Sequence, residues 1–402
     1  MESSLGTERL RGGHRKSSEL CQPLVNGWSD FNLKKIILYG VRHVELRRDI
    51  EFFLDNEYEI AGYSDTYYTS DILDGKRFIP PNQLKTEEFD YIIPLSFRES
   101  TLADMKTTLQ NQGIPLGKII YPTMFLHQNA EKMQVDLIKN IEMQYQGEEG
   151  LIFGLSYSLR GIFEKKMNPV FFDCSWHGLD LYYCYRIFQY MRSRNMLSAV
   201  KIALLVFPYY FFNYDMSMTF YHYRTGQMFA LQSLNDWHNY RQTPGAYDCV
   251  VNYQLFGQKI SEFYHFQRYE HKNRGIYAGK DGEADLDRLW FDNHPETEIE
   301  NVALYKAFIS ELLSEGIIPF VIVPPFYLKG LNQVSLDAFE QRKQDFYRIT
   351  AKANAQVFDF SKKFANHREF FADLTHLNSD GARDFTNVIN KAVLVNYREN
   401  EL

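Results

Sequence analysis

Two stretches of the chain hold residue types whose spacing suits chemistry rather than packing. Near the C-terminus, Asp373-Leu374-Thr375-His376 sets a carboxylate three residues before a histidine, just ahead of a helix start at Asn378-Ser379-Asp380-Gly381. Far upstream, Phe153-Gly154-Leu155-Ser156-Tyr157-Ser158 places a serine after an apolar run. A serine hydroxyl is a weak nucleophile at neutral pH until a base takes its proton. That base works best when a carboxylate fixes its tautomer and stabilises the imidazolium. Ser156, His376 and Asp373 fit the roles of nucleophile, base and orienting acid. Taken singly, Ser156 reads equally well as a strand-end turn residue and Asp373 as an N-cap beside an exposed histidine; the joint pattern favours catalysis. The order Ser, Asp, His is that of several α/β hydrolases, but the nucleophile elbow G-x-S-x-G is not matched, because its fifth position is Ser158. The pattern therefore points to another class of serine hydrolase.

The elements that must position these residues alternate between apolar runs and amphipathic segments. Leu151 to Phe153 and Val170 to Asp173 read as strands, Asp180 to Arg192 as a helix, and Val200 to Phe207 as a fully buried central strand. After a polar, aromatic stretch from Met216 to Glu298, the pattern returns. Asn301 to Ser314 reads as a helix closed by Gly316, Ile317 to Val323 as a strand ending at Pro324-Pro325, and Leu336 to Ala355 as a helix. Val357 to Asp359 is a short strand, and a last helix, capped by Ser379 or Asp380, runs to about Tyr397. Ser156 thus follows a strand end, where open α/β sheets hold their ligands.

The first third repeats the pattern separately. Ile36 to Gly40 and Tyr58 to Tyr63 read as strands around a helix from Val44 to Leu54. Tyr91 to Leu95 is a strand, Thr101 to Gln112 a helix, and Lys118 to Pro122 a further short strand. Gly40 and Asp65 stand at strand ends about 25 residues apart, close to the ~20-residue offset of a dinucleotide fold's first glycine turn and its ribose-binding acid. They are the candidate cofactor-binding residues. Gly40-Val41-Arg42-His43-Val44-Glu45 has one glycine where the fingerprint needs three, so a Rossmann-like unit that binds no nucleotide, or a different ligand, is the stronger reading.

With 402 residues the chain is long enough for two domains. The division expected is a disordered leader at 1–30, a Rossmann-like domain at 31–128, a helical connector at 129–150, and a second α/β domain at 151–402 carrying an aromatic insertion at 216–298. A net charge of −7 and 24% charged residues suit a soluble protein and give no basic block for nucleic acid. Small or carbohydrate partners are more natural, and the 28 Tyr and 32 Phe fit a sugar-facing surface as well as a core. The polar start from Met1 to Ser18 lacks a signal-peptide core, and the longest apolar runs fall short of the ~20 residues of a membrane span. Cys21, Cys174, Cys184 and Cys249 show no C-x-x-C spacing, which suits a reduced, cytoplasmic protein without a zinc knuckle. The histidines at 222, 238, 265, 271 and 294 also lack metal-ligand spacing, so no metal site is expected.

Together these blocks resemble the SGNH (GDSL-like) hydrolase superfamily, particularly its members in bacterial surface-polysaccharide clusters. Gly154-Leu155-Ser156-Tyr157-Ser158 is similar to the first block, with leucine in place of the usual acidic residue, and Asp373-Leu374-Thr375-His376 matches the last. Asp173-Cys174-Ser175-Trp176-His177-Gly178-Leu179-Asp180 is similar to the second block. The likeness, covering about Leu151 to Tyr397, implies a three-layer α/β/α fold and an oxyanion hole using the backbone N–H groups of Ser156 and Gly178. The third block, G-x-N-D, has no counterpart in Phe207-Pro208-Tyr209-Tyr210-Phe211-Phe212-Asn213-Tyr214-Asp215, where Asn213 is the candidate third donor. The stretch from Lys34 to Leu126 resembles the Rossmann-like domain found on bacterial sugar acyltransferases.

The resemblance implies serine-dependent acyl-ester chemistry on a carbohydrate: an O-acetyltransferase or esterase of a surface polysaccharide or its precursor. No cofactor is required beyond an acyl donor, for which a cytoplasmic enzyme would use an acyl-CoA. The rival reading is a non-catalytic sugar-nucleotide-binding or scaffold protein of polysaccharide biosynthesis, favoured by Leu155 and the missing third block. A second rival makes the N-terminal unit a nucleotide-dependent sugar-modifying enzyme.

Overall fold

The apolar runs form two separate parallel sheets in the computed structural model, which describes residues 33–68, 72–126, 137–219, 244–263 and 294–400 together with Met228, Leu231 and His238. The expected leader lies outside the described residues, as do most of the insertion, residues 127–128 at the end of the expected Rossmann-like domain and residues 129–136 of the connector.

The N-terminal sheet contains β1 (Lys34–Tyr39), β2 (Tyr58–Ser64) and β3 (Tyr91–Pro94) in the order β2-β1-β3, with α1 (Val44–Phe53) and α2 (Glu99–Asn111) in the connections. All pairings are parallel. The run from Lys118 to Pro122 does not become a further strand. Lys118 still belongs to a 3-10 turn, Pro122 offers no N–H, and only the bridge between Ile92 and Ile119 forms.

The second sheet begins after α3 (Leu137–Gln144), which lies within the expected connector. Its elements are β4 (Gly150–Gly154), α4 (Ser156–Gly161), β5 (Phe171–Asp173), α5 (Leu181–Ser193) and β6 (Ile202–Val206). These are followed by α6 (Pro244–Phe263), α7 (Pro295–Ser314), β7 (Ile318–Val323), α8 (Gln333–Thr350), β8 (Gln356–Asp359) and α9 (Ser379–Asn400). The strand order is β8-β7-β6-β4-β5, parallel throughout. Alternate residues of the central strands serve opposite faces, as a pleat demands. Leu151, Phe153, Ala203, Leu205, Val321 and Val323 join one core with α5, α7 and α8. Ile152, Ile202, Leu204, Val206, Phe320 and Ile322 join another, covered by Phe385, Ile389 and Val393 of α9. Burial on both faces explains why these strands read as continuous apolar runs.

Three boundaries differ from expectation for local reasons. Helix α7 starts at Pro295, since proline in the first turn lacks only an N–H that has no helical acceptor anyway. Helix α8 starts after Asn332, whose side chain accepts from Ser335 N, and ends at Thr350. The cap of α9 is Asn378, whose Oδ1 accepts from Asp380 N at 3.1 Å and Gly381 N at 3.0 Å.

Helix α6, which falls inside the stretch expected to be an insertion in the second unit, packs on the first sheet instead. Val251, Tyr253, Leu255 and Phe256 share a core with Ile36, Leu38 and Ile93. Asp55 N donates to Leu255 O, and Lys259 N donates to Asp55 Oδ1. Among the described residues no helix is long and apolar enough to cross a membrane.

Candidate active site

The chain leaves β4 for β5 on one side of it and then reaches β6 on the other, so the connections after β4 and β6 diverge. Such a switch point opens a crevice at the carboxyl ends of the strands. Ser156 sits there, two residues beyond β4, as the first residue of α4.

His376 arrives from the loop between β8 and α9. That loop is held as a tight reversal: Ala372 N donates to His376 O at 2.8 Å, Asn378 N to Phe370 O at 2.9 Å, and Phe371 bridges Leu377. Leu374 is buried in one core and Leu377 in the other, so the loop is anchored on both sides of the histidine. Tyr327 N, beyond β7, donates to Leu374 O at 3.3 Å.

These elements bring together residues 220 positions apart, with Ser156 Oγ 2.7 Å from His376 Nε2. On the other side of the ring, His376 Nδ1 is 2.8 Å from Asp373 Oδ2. Asp373 Oδ1 accepts from the backbone N–H groups of Thr375 and His376 and from the Thr375 hydroxyl. Burial pushes the Asp373 carboxyl up. The hydrogen bond and charge of His376, together with the two backbone donors, outweigh that cost and hold it well below the usual carboxylate range. An ionised carboxylate on Nδ1–H leaves Nε2 as the acceptor facing Ser156, the tautomer general-base chemistry requires. The His376 side chain keeps 21% of its surface exposed and that of Asp373 14%, so both are partly buried.

Gly178 lies in the loop after β5, which continues beside β4: Cys174 N donates to Ile152 O and Trp176 N to Gly154 O at 3.3 Å. Gly178 has φ +72°, a conformation that favours glycine. Ser156, as the first helical residue, has an N–H without an acceptor inside its helix. The loop therefore runs alongside the Ser156 turn with a backbone conformation that few other residues adopt.

Asn213 is placed differently from the third donor expected. It is buried, and its Nδ2 donates to Glu298 Oε2 at 3.0 Å, tying it to α7. Glu298 in turn pairs with Arg348 of α8. The same 3-10 turn, Tyr209–Asn213, reaches the crevice through other side chains. Tyr210 Oη is 3.4 Å from Tyr157 Oη, and the hydroxyl of Tyr214, the next residue, donates to Gly178 O at 2.6 Å. Sequence reading missed both tyrosines, because no block pattern places a tyrosine there.

His238 is brought within reach of Asp180 and Asp215, and the three could together hold a metal ion, a grouping that sequence spacing did not disclose. Each member also has a role in the protein. Asp180 caps α5 through Tyr183 N and accepts from Met216 N; Asp215 accepts from Ser217 N; His238 faces Glu300 through Nε2 at 3.1 Å and stacks on Tyr182. Burial and the Asp215 charge raise the Asp180 carboxyl. Burial disfavours the charged form of His238, but Glu300, Asp215 and Asp180 raise it above the ordinary histidine value.

In the N-terminal sheet, Gly40 and Asp65 do stand at neighbouring strand ends, where Gly40 N donates to Ser64 O. A Cβ on Gly40 would meet Met105 Cε at 2.5 Å, so α2 packs closely over the backbone where a pyrophosphate would approach. Asp65 Oδ1 closes a local turn by accepting from Tyr67 N at 2.8 Å and Tyr68 N at 3.2 Å. Cys174, Cys184 and Cys249 are buried free thiols, and burial pushes all three up.

In comparisons with known proteins, no protein-family model matches the chain and no curated protein matches it.

Proposed function

We propose that the protein is a serine-dependent acyl-ester enzyme of SGNH type acting on a carbohydrate, as an O-acyltransferase or esterase of a surface polysaccharide or its precursor. The observation that carries this reading is the continuous relay from Asp373 through His376 to Ser156 at a sheet switch point. The chain is read as two units, a Rossmann-like N-terminal domain completed by α6 and a C-terminal α/β/α domain holding the site.

In the reaction, Ser156 Oγ attacks the ester carbonyl as His376 Nε2 takes its proton, and Asp373 stabilises the imidazolium that forms. The tetrahedral oxyanion is received by the N–H groups of Ser156 and Gly178. Collapse breaks the bond to the leaving alkoxide or thiolate, which takes the proton from His376, and leaves Ser156 acylated. A sugar hydroxyl or water, deprotonated by the same histidine, then releases the acyl group. An acyl-CoA fits as donor because a thiolate leaves readily.

The reading is tested by the turnover of p-nitrophenyl acetate and of an O-acetylated sugar. Ser156→Ala is expected to abolish both; retention of wild-type turnover would leave the chain a binding or scaffold protein.

A further inference from the structure

We infer that Tyr214 is a positioning residue that sets the oxyanion hole from behind, in place of a side-chain donor from the segment after β6. The inference rests on the acyl-ester reading above and adds to it a residue that no block pattern indicates.

Gly178 has no Cβ, so its φ and ψ turn more readily than those of other residues, and its φ of +72° needs outside ties to be held. Tyr214 Oη supplies one, donating to Gly178 O over 2.6 Å in a buried setting. A second tie lies two residues further along both segments, where Met216 N donates to Asp180 Oδ2 at 2.8 Å. Segment 214–216 therefore grips segment 178–180 at two points. With its carbonyl held by Tyr214 and the following residues tied through Asp180, the Cα of Gly178 is fixed in place, and the N–H on that Cα, set by the φ of +72°, has less room to swing during the reaction. A preorganised donor contributes more than one that must reorient when charge develops.

The grip is itself firmly seated. Asn301 Nδ2 donates to Phe212 O and Tyr214 O, both at 3.1 Å. Asn213 is tied to Glu298, and the Tyr210 ring meets Tyr214 edge-on at 6.0 Å. The segment's backbone carbonyls and the Asn213 side chain thus anchor it to α7, while the Tyr214 hydroxyl reaches the loop of the second block.

The test compares Tyr214→Phe with Tyr209→Phe. Both variants keep the ring and lose one buried hydroxyl of the same segment, but Tyr209 bonds to Asp359 and Ser361, away from Gly178. The probe is a fluorophosphonate, on which Ser156 Oγ forms a bond to phosphorus, fluoride departs, and the Ser156 proton passes to His376. Tyr214→Phe is expected to lower kcat for p-nitrophenyl acetate and the phosphonylation rate in parallel, by about ten-fold, with KM nearly unchanged. Tyr209→Phe is expected to leave both rates within two-fold. Equal rates in Tyr214→Phe and wild type, with Ser156 labelled in each, overturn the role of Tyr214 and leave the acyl-ester reading standing. Equal losses in the two variants also overturn it, since they report general loosening. Absence of Ser156 labelling in the wild type overturns both.

Discussion

The Tyr157 ring lies nearly parallel to the His376 imidazole, with 5.4 Å between centroids and 22° between planes. Tyr157 directly follows Ser156 in the first turn of α4, and its ring limits the tilt of the His376 imidazole. Tyr157→Leu is expected to lower kcat about ten-fold, in line with the cost of misplacing a reacting group, while Tyr157→Phe retains most activity because it keeps the stacked face. Steady-state kinetics of the two variants, compared at matched stability, check this.

Asp373 has two separable effects. If the relay is catalytic, Asp373→Asn reverses the ring tautomer and is expected to reduce kcat by roughly 10,000-fold, as in known serine triads, without preventing folding. The second effect concerns acid stability. The carboxyl is depressed in the folded protein, so it stabilises the fold at pH values above its unfolded value of ~3.9 and loses that contribution as pH falls through the lower folded value. Thermal melts between pH 5 and pH 2 are expected to fall less steeply for the asparagine variant than for wild type.

Asp248 behaves in the opposite sense. It is buried on α6, where desolvation pushes its carboxyl up to about 7 against the attraction of Lys106 and the backbone of Tyr121. With the folded value raised above the unfolded one, the native state binds the extra proton, and stability falls as pH rises between ~3.9 and the folded value. Asp248→Asn is therefore expected to raise Tm at pH 8 and leave it nearly unchanged at pH 4. An equal effect at both values would show that Asp248 does not titrate in that window.

The meeting of Ser156, His376 and Asp373 was legible because a hydrogen-bonded Ser, His and Asp set is a recognisable combination of residue types. The turn at Asp373 to His376 is also short enough to read locally. The strands were legible because burial on both faces makes them continuously apolar. The place of α6 was not, since its contacts with Asp55 and Tyr121 join residues more than 100 positions apart and leave no periodic trace. The bond of Asn213 to Glu298 was not legible, because the sequence places an asparagine near the expected position without saying which way it points. The reach of Tyr210 and Tyr214 into the crevice depends on the 3-10 turn after Pro208, which aims successive side chains in different directions.

The most direct measurement is acyl-enzyme trapping. The protein is mixed with p-nitrophenyl acetate, quenched in acid during the burst, and digested for peptide mass spectrometry. One acetyl group is expected, on Ser156, absent from Ser156→Ala and formed far more slowly in an Asp373→Asn or His376→Ala protein. Acetylation at other residues with Ser156 unmodified, or equal burst amplitudes in wild type and Ser156→Ala, would contradict the acyl-ester reading.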